Sequence, residues 1–334
     1  MTLSPHFLRP VAGALLSALL LASCGGNTRP EPPPATAVVA AKPVKIGLAL
    51  GGGAAKGFAH IGVIKMLEAN GIKADVVSGT SAGSVVGSMY AAGMGPFQLQ
   101  EKAVALDESS IRDVRLFAGG LVQGQKLQDY VNAMVGNKPI QQLAKPFAAV
   151  ATRLEDGERS VFVRGNTGQA VRASSSVPGV FEPVTIGKWH YVDGGVVSPV
   201  PVDAAKQLGA DFVIAVDISS KASGKNPGDL FGTVNQSINI MGQKLGAAEL
   251  ARADIVIRPG VGAIGPADFE QRNRAIMLGE KAALAAMPQI KAKLAALRQA
   301  RQAAAAAAAR EQARAACKPS RLGKLVGHDS CSGG

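Results

Sequence analysis

Residues 51–57 of the chain are Gly-Gly-Gly-Ala-Ala-Lys-Gly, and residues 79–83 are Gly-Thr-Ser-Ala-Gly. The first stretch follows an apolar segment, residues 44–50, and precedes an apolar segment with helical spacing, residues 58–70. This order predicts a strand, a glycine loop and a helix. Because the first amides of a helix have no intrahelical partner, they can bind an anion. The first stretch therefore predicts an anion-binding loop.

The second stretch places Ser81 at a sharp turn. It lies between a predicted strand, residues 74–78, and a predicted helix, residues 82–92. A serine between a strand and a helix is the setting of a nucleophile elbow. Gly79 and Gly83 permit the tight bend that exposes its hydroxyl. Together, the two stretches predict a nucleophile beside amides that can hold an oxyanion.

Glycine-rich loops after strands are also common in nucleotide-binding proteins. A dinucleotide-binding G-x-G-x-x-G pattern that ends at Gly57 requires glycine at position 54, where this chain has Ala54. No acidic residue closes the next predicted strand, and the sequence contains no Gly-Lys-Ser/Thr of a P-loop. Nucleotide binding is therefore a weaker alternative.

Residues 1–23 have the pattern of an export signal. An apolar stretch of 11 residues, positions 11–21, is shorter than the roughly 20 residues that a membrane-spanning helix needs. Leu-Ala-Ser-Cys at positions 21–24 resembles the bacterial lipobox, which implies cleavage before Cys24 and its acylation. An ordinary secretory signal with an unrelated cysteine is the alternative. Gly25 favours delivery to the outer membrane of the cell envelope, facing the periplasm.

Residues 24–43 are rich in Pro, Ala and Gly and predict a semi-extended tether. The formal net charge of the chain is +12, and residues 291–334 contain nine Lys or Arg and two acidic residues, a local net charge of +7. This uneven distribution argues against a nucleic-acid partner and favours a solvated or membrane-contacting tail. Cys317 and Cys331 form either a disulfide or two free thiols, and no convincing metal site is present.

Predicted strands and helices alternate over residues 44–290, which indicates a layered α/β catalytic domain. Residues 101–134 predict a mainly helical, lid-like insertion. A helix over residues 276–297 is expected to be kinked or interrupted at Pro288. For the basic, Ala-rich tail, residues 291–334, we expect a fraying helix followed by disorder, since an alanine run has no apolar face to bury.

The histidines beyond the signal are poorly placed to activate Ser81. His60 lies in the helix after the glycine loop, His190 lies in a predicted strand, and His328 lies in the tail. A Ser-His-Asp hydrolase carries its histidine on a loop late in the fold, after the acid. We therefore expect His60 to be a packed helix residue and His190 to face outward.

Asp193 is a better candidate for the base. It ends the predicted strand over residues 188–192 and precedes Gly194 and Gly195, which allow close backbone approach. The alternative is that Asp-Gly here is only a turn. A carboxylate base should keep its activity at lower pH than a histidine, whose pKa is roughly 6.5, unless burial raises the pKa of the carboxyl.

The two glycine stretches, Ala-Ser-Ser-Ser-Val-Pro at residues 173–178 and Asp-Gly-Gly at residues 193–195 occur in the order found in bacterial patatin-like phospholipases. The chain resembles this family over about residues 44–290. The resemblance implies a three-layer α/β/α fold with a mainly parallel central sheet, and hydrolysis of lipid acyl esters by a Ser–Asp dyad without a cofactor or metal. It assigns Ser81 as the nucleophile and Asp193 as the proton acceptor.

The resemblance also assigns the oxyanion hole to the amides of Gly52, Gly53 and Ala54. Supporting positions in the loop, the elbow and the acidic turn are Gly51, Lys56, Gly57, Gly79, Gly83, Gly194 and Gly195. The family usually has glycine at position 54 and arginine at position 56, where this chain has Ala54 and Lys56. If φ of Ala54 is positive, the hole is strained.

A membrane lipid is the expected substrate, and the acylated Cys24 is the expected membrane contact. The sequence leaves the oligomeric state open. A non-catalytic envelope lipoprotein that keeps this fold as a scaffold or lipid-binding module is the alternative from another functional class.

Overall fold

The computed structural model describes residues 41–111, 113, 122–219, 228 and 230–316. The predictions for the signal peptide, for Cys24 and for most of the tether lie outside these residues. So do those for His328, Cys317 and Cys331, and part of the prediction for the insertion over residues 101–134. Within the described residues, no helix is both long and apolar enough to cross a membrane.

The core is one sheet of eight strands. In chain order they are β1 Ile46–Leu50, β2 Val76–Thr80, β3 Phe147–Arg153, β4 Arg159–Phe162, β5 Val184–Ile186, β6 Trp189–Asp193, β7 Phe212–Val216 and β8 Ile255–Ile257. The hydrogen-bonded order is β5-β6-β3-β2-β1-β7-β8, with β4 paired to β3. β3, β2, β1, β7 and β8 are parallel, whereas β4, β5 and β6 pair antiparallel.

Helices cover both faces of this sheet. They are α1 Phe58–Ala69, α2 Ala82–Ala91, α3 Pro96–Ala105, α4 Gln125–Met134, α5 Thr167–Ser174, α6 Val202–Gln207, α7 Leu230–Leu250 and α8 Arg272–Ala316. Leu48 and Leu50 of β1 pack in the cluster that contains α1, α2 and α8. Ala49 between them packs with α6 and the end of α7. Neighbouring side chains of β1 therefore pack against helices on opposite faces of the sheet, which confirms the three-layer α/β/α fold.

The long C-terminal helix is not interrupted at its proline, one of the two outcomes expected there. α8 begins at Arg272 and continues through Pro288 to Ala316, so its last part is the helix expected at the start of the basic tail. A proline in a helix removes one backbone hydrogen bond, at a cost of about 3 kcal/mol. The buried side chains of Met287 and Ile290, on either side of the proline, pack in the core and offset this cost.

β3 holds strands on both of its edges, and this arrangement positions the site. Ala149 and Val150 pair with β2 on one side and with β4 on the other. Ala151 and Thr152 pair with β4 and with β6. Since one edge cannot hold two strands at the same residue, β4 occupies one edge, and β2 and β6 follow one another along the opposite edge.

Candidate active site

Ser81 lies at the elbow between β2 and α2. Its backbone has φ of 52° and ψ of −126°, which is a strained conformation for a residue with a side chain. A Cβ on Gly79 would lie 2.4 Å from the Gly83 carbonyl oxygen, and a Cβ on Gly83 would lie 2.1 Å from the Leu50 carbonyl oxygen. Both positions therefore require glycine, and their close packing maintains the bend that presents Ser81.

The elbow is fixed by a second serine. The Ser81 amide donates a hydrogen bond of 3.0 Å to Ser174 Oγ, and this hydroxyl donates a bond of 2.6 Å to the carbonyl of Val150 in β3. Ser174 is fully buried at the end of α5. It thus connects the backbone of Ser81 to the central sheet.

Asp193 is the last residue of β6. It lies on the edge of β3 where the pairing with β2 ends and the pairing with β6 begins. Thr80, the residue before Ser81, pairs with Val150, and Asp193 pairs with the next residue, Ala151. The structure thereby brings Ser81 and Asp193 together, although they are far apart in the sequence. Both residues are buried, with 7% and 6% of their surface exposed.

The two carboxylate oxygens of Asp193 have different surroundings. Oδ1 accepts a hydrogen bond of 2.7 Å from the Gly195 amide. Oδ2 is buried and has no hydrogen bond of normal geometry within the described residues. Burial raises the pKa of Asp193 to about 6, although the neighbouring Ser81 hydroxyl and the Gly195 amide lower it.

Gly194 and Gly195 allow the acidic turn to approach the sheet. A Cβ on Gly194 would lie 2.1 Å from the carbonyl oxygen of Val150, which excludes any side chain. A Cβ on Gly195 would lie 3.0 Å from Asp193 Oδ1. The Asp193 amide donates to the Ser176 carbonyl over 2.8 Å, which further fixes the carboxylate.

The glycine loop lies over Ser81. A Cβ on Gly52 would lie 3.2 Å from the Cβ of Ser81, and a Cβ on Gly57 would lie 2.6 Å from the Cβ of Ala82. The Gly51 amide donates to the Val216 carbonyl over 3.0 Å and therefore anchors the loop to β7. The predicted anion-binding loop and the elbow are thus in direct contact.

Of the amides assigned to the oxyanion hole, that of Gly52 is already engaged. It donates a hydrogen bond of 3.0 Å to the Pro199 carbonyl. The Gly53 and Ala54 amides donate to no other group in the part of the chain that the structure describes. The assignment of Gly52 is therefore corrected, because its N–H holds the loop in place, and the donors left for an oxyanion are Gly53 and Ala54.

Residues 48–206 match the family model of patatin-like phospholipases. The chain contains a patatin-like phospholipase domain. An uncharacterized NTE family protein of Mycobacterium tuberculosis is 37% identical over 183 residues, which are 54% of this chain and 51% of that protein. The mouse patatin-like phospholipase domain-containing protein 6 is 32% identical over 184 residues, 53% of this chain and 14% of that protein. The chain spans about half the length of the mycobacterial relatives it matches.

Among solved structures, VipD from Legionella pneumophila is similar to this chain with a TM-score of 0.54 at 16% identity, over 75% of this chain and 68% of that one. This likeness concerns the fold.

Ala54 departs from the usual glycine of patatin-like domains, and the structure shows the consequence. Its φ is 50°, in the left-handed region where a side chain costs about 1–2 kcal/mol. The next amide, that of Ala55, donates to the Pro266 carbonyl over 3.1 Å. This bond helps to hold the strained residue.

His60 of the patatin-like domain supports the glycine loop. Its Nε2 donates a hydrogen bond of 2.8 Å to the Gly51 carbonyl. Burial lowers the pKa of His60 to about 4, so the ring is neutral near pH 7. With its proton on Nε2 directed at a carbonyl, His60 is not oriented as a base for Ser81.

The remaining predicted residues have clear positions. His190 is exposed, as expected, and its Nδ1 lies 2.7 Å from Glu155. Lys56 is buried in the turn before α1, and burial lowers its pKa. Ser174 was not predicted as a site residue; its only signal in the sequence is its position within the Ala-Ser-Ser-Ser-Val-Pro motif that contributes to the family resemblance.

Proposed function

We propose that the protein is a serine-dependent lipid acyl hydrolase of the phospholipase A or carboxylesterase type. Ser81 is its nucleophile, Asp193 is the proton acceptor, and the Gly53 and Ala54 amides form the oxyanion hole. The family match supports a lipid hydrolase. The observation that carries the proposal is the register of β3, which places the residue before Ser81 beside Asp193.

In the first half of the reaction, Ser81 Oγ attacks the ester carbonyl while its proton passes to Asp193 Oδ2. This oxygen is the acceptor because Oδ1 is already bonded to Gly195. The carbonyl oxygen becomes an oxyanion, which accepts hydrogen bonds from the Gly53 and Ala54 amides. Removal of one such donor typically costs about 3 kcal/mol of transition-state stabilisation.

When the tetrahedral intermediate collapses, the proton on Asp193 passes to the leaving alcohol, and an acyl-enzyme remains on Ser81. Water then attacks the acyl carbon, with Asp193 again accepting the proton. Ser81 lies at the start of α2, so the positive end of the helix dipole is directed at the site. Breakdown of the second intermediate returns the proton to Ser81 and releases the fatty acid.

Esterase activity with a Ser81→Ala control tests this function. The purified protein should hydrolyse a p-nitrophenyl ester and incorporate a fluorophosphonate probe at Ser81. The Ser81→Ala variant should lose both reactions and retain the circular dichroism spectrum of the wild type. Hydrolysis by both proteins at equal rates would contradict the assignment.

The positive φ of Ala54 is the observation that favours a non-catalytic scaffold or lipid-binding module. That alternative predicts lipid binding without ester hydrolysis, even with natural lipids. Mass spectrometry of a membrane lipid extract incubated with the protein separates the two functions, since only the hydrolase produces free fatty acid and a deacylated lipid.

We further propose that the substrate is a membrane lipid and that acylated Cys24 attaches the protein to the cell envelope, in the outer membrane facing the periplasm. The lipobox-like Leu-Ala-Ser-Cys supports this location. Two or more acyl chains anchor a protein stably, whereas one chain is marginal. A Cys24→Ser variant should lose its membrane fraction after cell fractionation.

A further inference from the structure

Glu249 is a buried carboxylate outside the Ser81–Asp193 pair. It lies near the end of α7, and only 4% of its surface is exposed. Oε1 accepts a hydrogen bond of 2.5 Å from the Ser198 hydroxyl, and Oε2 accepts one of 3.0 Å from the Val200 amide. The two oxygens therefore hold one short segment, residues 198–200.

This segment in turn supports both halves of the site. The carbonyl of Ser198 accepts a hydrogen bond of 2.8 Å from Thr80 Oγ1, and Thr80 directly precedes Ser81. The carbonyl of Pro199 accepts the bond of 3.0 Å from the Gly52 amide. One side of the segment thus binds the nucleophile elbow, and its middle binds the loop that carries the oxyanion amides.

Arg159 lies between Glu249 and a second acidic residue, Asp203. Arg159 Nη1 lies 3.7 Å from Oε1 and 3.1 Å from Asp203, which also binds Arg252 over 2.7 Å. Burial raises the pKa of Glu249. The hydrogen bonds from Ser198 and Val200 and the charge of Arg159 oppose this rise, whereas the charge of Asp203 adds to it. A buried carboxylate is stable where it is hydrogen-bonded in this way.

We propose that Glu249 is a positioning residue for acyl transfer: through residues 198–200 it sets the placement of the oxyanion loop relative to Ser81. This role rests on the proposed function. A carboxylate suits it because both partners are donors. Glutamine has nearly the same shape but no charge: its oxygen can accept from the Val200 amide and its amide nitrogen can donate to a rotated Ser198 hydroxyl, so two charge-assisted bonds become neutral ones.

Glu249→Gln is the first test. Replacement of two charge-assisted hydrogen bonds by neutral ones should lower kcat on a p-nitrophenyl ester by about 10-fold, with KM changed less than about two-fold. Hydrogen exchange followed by mass spectrometry gives a readout that does not depend on activity. The peptide covering residues 48–58 should exchange at least about 10-fold faster in the variant, because the Gly52–Pro199 bond opens more often.

Ser198→Ala provides a second variant in case Glu249→Gln does not fold. It removes the Oε1 partner and leaves the Val200–Oε2 bond, so it should change kcat and exchange in the same direction by a smaller factor. Glu280→Gln is the matched control, because Glu280 binds Lys65 on α1, away from the site. It should leave kcat and the exchange of residues 48–58 unchanged.

Unchanged exchange of residues 48–58 in both Glu249→Gln and Ser198→Ala would overturn the positioning role. A Glu249→Gln variant with a lower melting temperature but the kcat of the wild type would also overturn it, because Glu249 would then serve stability alone. If the wild-type protein hydrolyses no ester, the proposed function fails. The exchange measurement then still decides whether Glu249 holds the glycine loop.

Discussion

Thr80 and Asp193 occupy consecutive positions along one edge of β3, opposite Val150 and Ala151. Because Ser81 follows Thr80, the proximity of Ser81 to Asp193 depends on the pairing register of the sheet rather than on a flexible loop. If the pairing register of β2 or β6 shifted by one residue, the side chains of that strand would turn to the other face of the sheet. The site is therefore as well fixed as the core of the sheet.

The Asp193→Asn variant should lose activity and gain stability. Asparagine still accepts the Gly195 amide bond through its side-chain oxygen but cannot accept the Ser81 proton, so ester hydrolysis should fall by at least about 100-fold. It also removes a buried charge. We expect a higher melting temperature at pH 7, measured by differential scanning calorimetry, and a fall in stability would contradict the assigned burial cost.

The stability gain of Asp193→Asn should depend on pH. Burial raises the pKa of Asp193 from 3.8 to about 6. The unfolded chain therefore releases this proton at lower pH than the folded protein, and wild-type stability falls as pH rises between these two values. The free energy difference between variant and wild type should grow over this interval by at most about 3 kcal/mol. Denaturant titrations at pH 4 and pH 7 measure it.

The activity of the wild type should rise with pH around a midpoint of about 6, the pKa of Asp193, and then reach a plateau. Since burial raises this pKa, the pH profile alone does not separate a carboxylate base from a histidine base. A His60→Gln variant does. Its kcat/KM should keep the same midpoint, because His60 binds the Gly51 carbonyl; loss of the pH dependence would contradict Asp193 as the base.

Ser174→Ala should weaken the elbow. The variant leaves the Ser81 amide and the Val150 carbonyl without their buried partner, at a cost of about 1–3 kcal/mol for each unsatisfied group. We expect lower stability in urea titrations and a lower kcat. Ser176→Ala is the matched control, because within the described part of the chain the hydroxyl of Ser176, just beyond α5, is bonded only to the Arg172 carbonyl of that helix. Equal effects of the two substitutions would contradict the special role of Ser174.

The sequence predicted the layered fold, and it pointed to the candidate residues of the site through signals that are local. The glycines around Ser81 and after Asp193 show where the chain bends tightly. The use of the Gly52 amide was not predictable in this way, since its acceptor, Pro199, comes from a distant segment that the sheet brings close. For the same reason, the succession of β2 and β6 along one edge of β3 has no local signature.

Two further features required the tertiary structure. Glu249 is the only acidic residue of α7, which is a signal of a special environment, but its partners are in another segment. Pro288 predicts a helix end from local chemistry, whereas α8 continues because Met287 and Ile290 are buried. Packing over the whole helix thus outweighs one local preference.

Ala54→Gly should relieve the strain in the oxyanion loop. Glycine adopts the φ of 50° without steric cost, so the folded protein should gain about 1 kcal/mol despite the greater freedom of glycine in the unfolded chain. Ala55→Gly is the matched control. Ala55 is buried and outside the left-handed region, so its replacement should lower stability by about 1 kcal/mol. Thermal unfolding of both variants measures the difference. Destabilisation by both substitutions would show that position 54 does not carry the strain assigned to it.

If the strain also misplaces the Ala54 amide, Ala54→Gly should raise kcat with little change in KM, because only oxyanion binding in the transition state improves.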